Sequence, residues 1–94
     1  MAQFEWDDIK NARNMEKHGV SFDEAATVFA DPNAVEEYDA AHSVSGEERF
    51  RIIGLSRIPR LLLVVYCERE SNAIRIISAR AAGVRERQAY ERRG

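Results

Sequence analysis

One stretch of sequence decides the fold, Arg75-Ile76-Ile77-Ser78-Ala79-Arg80. Its apolar residues, with Ile74 before them, suit a strand that is buried on both faces. An arginine stands at each end, and each guanidinium must reach water or an anion because an isolated buried charge is very costly. Since strand residues alternate between faces, Arg75 and Arg80 are predicted to point to opposite sides of the sheet. The alternative is an ordinary strand flanked by solvated arginines, and so short a motif does not decide between the two.

Two earlier strands are predicted to pair with this one. Leu61 to Tyr66 is an uninterrupted apolar run, which is typical of a strand covered on both faces. In Glu48 to Ser56, alternation places Arg49 and Arg51 on one face. Short turns separate the three strands, which predicts an antiparallel meander. Ala34 to Tyr38 could add an edge strand, although glutamates are poor strand formers.

The first predicted helix runs from Asp8 to His18, after a short strand at Phe4-Glu5-Trp6. Asp7 is a good N-cap, and Gly19 is a good C-terminal cap. We expect this helix to be mostly exposed because its apolar stripe is thin. The stripe consists of Ile9, Ala12 and Met15.

A second helix is predicted from the capping box that begins at Ser21, and Asp31-Pro32 ends it. Its core-facing stripe is Phe22, Ala25, Ala26 and Phe29. A third helix, Gly83 to Arg92, has few residues to bury. The sequence therefore predicts an α/β (α+β) fold in which two N-terminal helices pack on an antiparallel sheet that a C-terminal helix closes.

The length of 94 residues predicts one domain, residues 1–94, with a modest core. Apolar residues make up 45% of the chain and charged residues 32%, as in globular proteins. The longest apolar run, Leu61 to Cys67, is far shorter than the ~20 residues of a membrane span. No signal peptide is visible at the N-terminus. A single cysteine, Cys67, excludes an internal disulfide, and we expect a cytoplasmic location.

The small net charge of −2 conceals a strong asymmetry. Residues 1–48 carry three basic and twelve acidic residues, a net charge of −9, whereas residues 49–94 carry eleven arginines and four glutamates, a net charge of +7. The planar fork of arginine matches phosphate and carboxylate groups. The asymmetry therefore suggests a nucleic-acid surface or an acidic partner, although a genome that favours arginine codons would give the same composition.

Several kinds of active site find no support in the sequence. The two histidines, His18 and His42, lie in different elements, no zinc-binding spacing occurs, and no glycine-rich phosphate loop is present. Cys67 has no neighbouring base in sequence, and Ser78 lies within a core strand. If the protein is an enzyme, it is predicted to need no metal, no cofactor and no covalent intermediate.

The remaining chemistry is that of arginines on a sheet. Guanidinium groups on a rigid sheet can bind a phosphodiester and stabilise the charge of a pentacovalent transition state. In RNA cleavage the substrate provides the attacking 2′-hydroxyl, so that the protein needs no nucleophile. A general acid or base would have to be His42, Glu86 or Tyr90. Each also has a purely structural interpretation. His42 would be a loop residue, Glu86 a partner of an arginine on the helix surface, and Tyr90 a packing residue.

The chain resembles the BrnT family of bacterial toxins over nearly its whole length, in the right order. The matching segments are Phe4-Glu5-Trp6-Asp7, Lys17-His18-Gly19-Val20-Ser21-Phe22, Ala25-Ala26-Thr27-Val28-Phe29 with Asp31-Pro32, His42, Glu48-Arg49-Phe50, Arg75-Ile76-Ile77-Ser78-Ala79-Arg80-Ala81, and Glu86-Arg87 with Tyr90. The resemblance implies a RelE-like fold and a growth-arresting ribonuclease. It also implies a cognate antitoxin, BrnA, whose ribbon-helix-helix domain binds operator DNA, so that the toxin contacts DNA only indirectly.

The resemblance and the chemistry together give two sets of candidate site residues. The predicted catalytic residues are Arg49, Arg69, Arg80, Glu86, Tyr90 and His42. The predicted RNA-binding residues are Arg51, Arg75 and Arg85. We further predict that Arg49 and Arg80 share one phosphate. The alternative function is a non-catalytic, arginine-rich module that only binds an antitoxin and supports repression.

Overall fold

The computed structural model describes residues 3–69 and 72–92. The strands are β1 (Gln3–Glu5), β2 (Val35–Tyr38), β3 (Arg49–Leu55), β4 (Leu61–Glu68) and β5 (Ala73–Ala81). The helices are α1 (Asp8–His18), α2 (Phe22–Thr27) and α3 (Val84–Glu91), with 3₁₀ turns at Val28–Ala30 and Ala40–His42. Within the described ranges, no helix is long and apolar enough to cross a membrane.

The strands form one sheet in the order β1-β5-β4-β3-β2. The predicted meander is present, since β3, β4 and β5 pair antiparallel. The prediction of an antiparallel sheet holds for these strands and for β2, but it is wrong for β1, which pairs parallel to β5, with Gln3 opposite Ala73. Helix α1 follows β1 and packs back on β5, and a parallel pair requires a crossover of this kind.

The edge strand β2 forms despite its glutamates because both side chains have partners. Glu36 accepts a hydrogen bond from the hydroxyl of Tyr66, and Glu37 forms an ion pair with Arg51 at 3.3 Å. The two neighbouring residues point to opposite faces of the sheet, as strand geometry requires. Each glutamate therefore has a partner on its own face of the sheet.

A β-bulge in β5 changes which face its arginines share. Ser78 lies opposite Val65 while Ile76 lies opposite Tyr66, so that Ile77 is the extra residue. Paired residues on neighbouring strands share a face. The prediction that Arg75 and Arg80 point to opposite sides is therefore wrong, because one extra residue restores them to the same face.

The two faces of the sheet bury cores of different size. The larger core lies under α1 and α2 and includes Val20, Phe22, Ala25, Val28, Ile52, Leu62, Val64, Tyr66, Ile76 and Ala79. The smaller core lies under α3 and consists of Ile53, Leu61, Leu63 and Tyr90. The second face also carries the sheet arginines, and we call it the arginine face. It holds Arg49, Arg51, Arg75 and Arg80.

Helix α1 is exposed as expected, but its apolar stripe does not hold it in place. Ile9 is 64% exposed and Met15 53%, whereas Asn14 is only 7% exposed. The Asn14 amide donates to the carbonyl oxygens of Val20 and Ala79, both at 2.8 Å, and accepts from the Ala79 N–H at 3.2 Å. A buried amide therefore joins this helix to β5.

The capping box of α2 is half formed. The Ser21 hydroxyl accepts from the Glu24 N–H at 3.1 Å, as predicted, but the Glu24 carboxylate turns to Arg60 instead. Arg60 donates two hydrogen bonds to it, at 2.7 Å and 2.5 Å, and a third to the Gly19 carbonyl. Ser56 donates a further bond to Glu24. This buried carboxylate joins α2 to the β3–β4 turn.

Candidate functional site

The candidate site begins where β5 leads into α3. Glu86 is the third residue of α3, and its Oε1 atom accepts from the Gly83 N–H at 2.7 Å, which caps the helix. The same oxygen accepts from the Arg80 guanidinium at 2.9 Å. The hydrogen bond from Arg80, then the one from Gly83, hold the pKa of Glu86 below its usual value, so Glu86 is a carboxylate at neutral pH.

Two further arginines line a small cavity together with Glu86. The cavity has a volume of about 120 Å³, and its lining consists of Glu37, Arg51, Ile53, Leu63, Arg85, Glu86 and Ala89. The charge of Arg51 also contributes to the lowered pKa of Glu86. Among the described residues, the Arg51 Nε atom is buried and has no hydrogen-bond partner. The structure thus brings together Arg51, Arg80, Arg85 and Glu86, and we call these four residues the α3 cluster.

A second group of arginines lies at the other end of the arginine face. Arg49 and Arg75 both pair with Cys67, one from each side of β4. Their ion pairs are long, since Arg49 lies 3.8 Å from Glu47 and Arg75 lies 3.8 Å from Glu5. Arg69 also contacts Glu5, at 3.5 Å. We call Arg49 and Arg75, with Cys67 between them, the Cys67 row.

Arg49 and Arg80 lie on one face, but not at one level of the sheet. Arg49 pairs with Cys67, whereas Arg80 pairs with Leu63, which is four residues earlier in β4. At about 3.3 Å per residue, the two levels are ~13 Å apart. Each arginine also has its own carboxylate partner, and neither guanidinium is buried. This spacing favours contacts with two phosphates over a single shared one.

His42 and Tyr90 lie outside both groups. The His42 side chain is exposed and its Nδ1 atom lies 2.9 Å from Asp39 Oδ2. The Tyr90 ring is 8% exposed within the smaller core, and its hydroxyl donates to Asp31 Oδ2 at 2.7 Å. Both placements agree with the structural interpretation that the sequence left open. A catalytic role for either residue stays a prediction.

The asymmetry of charge along the chain is partly resolved within the molecule. Five ion pairs among the described residues join an arginine of the basic half to a glutamate of the acidic half. The first half of the chain is therefore itself an acidic partner of the second. Within residues 3–69 and 72–92, no group of three or more His, Cys, Asp or Glu residues is placed to hold a metal ion.

The comparison with known families decides the class of protein. A family model described as "Ribonuclease toxin, BrnT, of type II toxin-antitoxin system" matches residues 6–86. The chain belongs to the BrnT family. The crystal structure of the Brucella abortus ribonuclease toxin BrnT has the same fold, with a TM-score of 0.63 and 21% sequence identity. The match covers 88% of this chain and 99% of the Brucella chain. A search among curated proteins gives no significant match.

The chain is therefore a BrnT-family toxin of a type II toxin–antitoxin system, and the family is described as a ribonuclease toxin. Its mixed α+β architecture, with a five-stranded sheet and three helices in the described residues, is similar to the fold of the Brucella toxin. The resemblance seen in the sequence is confirmed at the level of the family.

Sequence reasoning missed Glu37 and Gly83. Glu37 lines the cavity and forms an ion pair with Arg51, but in sequence it falls within the doubtful edge strand Ala34 to Tyr38. Once β2 is paired with β3, Glu37 stands directly opposite Arg51, and a cross-strand pair of opposite charge is a recognisable signal. Gly83 matters for its backbone N–H and for its small size, since a Cβ atom there would lie 3.1 Å from Glu86 Oε1.

Proposed function

We propose that this protein is a metal-independent endoribonuclease that cleaves RNA, inhibits translation and arrests growth. One observation carries the proposal: an ionised carboxylate, Glu86, is held by Arg80 and lines a small cavity together with two more arginines, Arg51 and Arg85. A base beside several fixed positive charges is the arrangement that phosphodiester transesterification requires. The family description as a ribonuclease toxin supports the substrate class.

The proposed reaction uses the substrate's own nucleophile. The ribose 2′-hydroxyl attacks phosphorus and gives its proton to the Glu86 carboxylate, while the bond from phosphorus to the 5′-oxygen breaks. The products are a 2′,3′-cyclic phosphate and a 5′-hydroxyl, whose proton comes from solvent. Because its pKa is lowered, Glu86 is a weak base, so most of the rate enhancement must come from the arginines.

The arginines of the α3 cluster stabilise the charge of the pentacovalent phosphorus in this proposal. Fixed guanidinium groups suit that task because arginine remains protonated and needs little reorganisation during the reaction. We propose that Arg49, Arg69 and Arg75 contact RNA outside the cleaved linkage. His42 and Tyr90 remain candidates for secondary roles.

We propose a BrnA-like ribbon-helix-helix antitoxin as the neutralising partner, and contact with operator DNA only through it. The supporting observations are the type II toxin–antitoxin family and the exposed residues of α3. Val84 on this helix is 76% exposed, and Arg85 and Arg92 flank its surface. An antitoxin that covered α3 would also close the cavity beside Glu86.

The alternative function, a non-catalytic module that binds only the antitoxin, also has one observation in its favour. The Glu86 carboxylate caps α3, and this structural role would account for a glutamate at this position even if the protein catalysed no reaction. The two functions differ in whether RNA is cleaved.

The direct test is cleavage of RNA by the purified protein, freed of antitoxin. Cleavage should persist in EDTA, and expression of the protein alone should arrest growth until the antitoxin is expressed with it. Cleavage that stops in EDTA and returns with a divalent ion would overturn the metal-independent mechanism. Growth arrest without any cleavage would favour the binding module.

A further inference from the structure

The reaction proposed at Glu86 does not use the Cys67 row, yet the row lies on the same face of the sheet as Arg51 and Arg80 of the α3 cluster. Arg49 and Arg75 are both opposite Cys67 and are separated by two strand spacings, or ~10 Å. Burial, then the neighbouring Glu47, raise the pKa of the Cys67 thiol, which leaves a neutral group between the two arginines.

The ion pairs of this row can be exchanged for another anion. The Arg49–Glu47 and Arg75–Glu5 contacts are 3.8 Å long and their glutamates are about half exposed, whereas Arg80 and Glu86 are in close contact at 2.9 Å. Long, solvated pairs contribute little and are readily replaced by a phosphate, which arginine binds with two parallel hydrogen bonds.

The distance between the row and the α3 cluster sets a spacing in nucleotides. The row is at the level of Cys67 and Arg80 is at the level of Leu63, which places them ~13 Å apart along β4. Phosphates of one stacked strand are about 3.4 Å apart along the axis, and those of an extended strand are further apart. The gap therefore corresponds to roughly two to four nucleotides.

We propose that the Cys67 row is a second phosphate-binding subsite, which holds the RNA backbone two to four nucleotides from the cleaved linkage. The RNA strand then runs along β4 across the arginine face. The bulge at Ile77 is essential for this path, because it turns Arg75 to the same face as Arg80. This inference rests on the proposed ribonuclease function and adds a minimum length to the substrate.

The experiment measures binding of uncleavable 2′-O-methyl oligoribonucleotides of two and of eight nucleotides to the antitoxin-free protein at several salt concentrations. Arg75→Ala should weaken binding of the octamer about tenfold, and should lower the slope of log affinity against log salt by about 0.7, the value for one phosphate contact on a single strand. It should leave dinucleotide binding unchanged. Arg13→Ala, which removes an exposed arginine from α1 on the opposite side of the sheet, is the matched control and should alter neither.

The possible outcomes separate the subsite from the ribonuclease function. If the wild-type protein cleaves RNA but Arg75→Ala affects octamer and dinucleotide equally, or neither, the subsite is wrong and the function stands. A parallel titration measures the affinity of the same variant for the antitoxin. If Arg75→Ala weakens that complex but not octamer binding, the row belongs to the protein partner and the subsite is wrong. If the wild-type protein neither binds nor cleaves RNA, the proposed function and the subsite both fail.

Discussion

Arg80 and Glu86 are joined by a hydrogen bond of 2.9 Å that links the end of β5 to the first turn of α3. The same glutamate oxygen caps the helix through Gly83. One carboxylate thus fixes the position of the helix and the direction of the guanidinium. Since the Arg80 side chain is 43% exposed, it keeps access to an anion in solution.

Glu86→Gln removes the negative charge at this site while it keeps nearly the same side-chain shape. The amide oxygen of glutamine can still accept the Gly83 N–H, so α3 should stay capped, but the general base is lost. We expect cleavage of RNA to fall by ~10²-fold or more, within the range for a general base. The thermal unfolding temperature should change little. Glu91→Gln, on the exposed side of the same helix, is the control and should cleave like the wild-type protein. A Glu86→Gln protein with wild-type cleavage would remove Glu86 from the reaction.

Asn14→Ala should destabilise the protein more than a change in the apolar stripe of the same helix. It leaves backbone groups of Val20 and Ala79 without partners in a buried place, which costs about 2 kcal/mol. Ile9→Ala alters an exposed side chain and should cost less than ~0.5 kcal/mol. Urea unfolding of both variants measures the difference. Equal losses would mean that the amide does not hold α1 on the sheet.

Arg60→Ala should destabilise the folded protein because it leaves a buried carboxylate without its main partner. Glu24 is 5% exposed, but the guanidinium itself is partly exposed, so we expect a loss of about 1–3 kcal/mol in the free energy of unfolding at pH 7. Arg57→Ala, in the same turn, is the control.

The Glu24–Arg60 pair should also make stability depend on pH. The hydrogen bond from Arg60 is the main cause that holds the pKa of Glu24 below its usual value of 4.5. The contribution of the pair is therefore complete above about pH 4.5, and it is lost as the pH falls through the lower pKa of the folded state. The advantage of the wild-type protein over Glu24→Gln in urea should shrink below pH 4.5. A constant difference from pH 7 to pH 3 would contradict this account.

The sheet could be predicted from the sequence because its strands are short apolar runs between turns. Ile76 and Leu62 lie in apolar runs that suit a covered strand, and the short turns between the runs predict an antiparallel meander, as observed. The parallel pairing of β1 with β5 could not be predicted, because a strand of three residues carries no sequence signal for the direction of its partner. The bulge at Ile77 is equally invisible, since it depends on the register against Tyr66.

The candidate site could be predicted in its residue types but not in its grouping. Arginines and Glu86 are conspicuous in an acid-poor half of the chain, and alternation alone placed Arg49 and Arg51 on one face. Which of them meet Glu86 depends on how α3 crosses the sheet, and α3 buries only Tyr90 fully. A helix with so few apolar contacts does not reveal its docking position in sequence.

The most direct test of the central claim is Arg80→Ala, measured for RNA cleavage and for antitoxin affinity on the same preparation. If Arg80 stabilises the transition state, cleavage should fall by ~10²–10³-fold, as for other fixed donors to a developing charge. Antitoxin affinity should stay within about tenfold, or ~1.4 kcal/mol, of the wild-type value. A wild-type protein that cleaves no RNA, with an Arg80→Ala variant that only binds the antitoxin more weakly, would contradict the account.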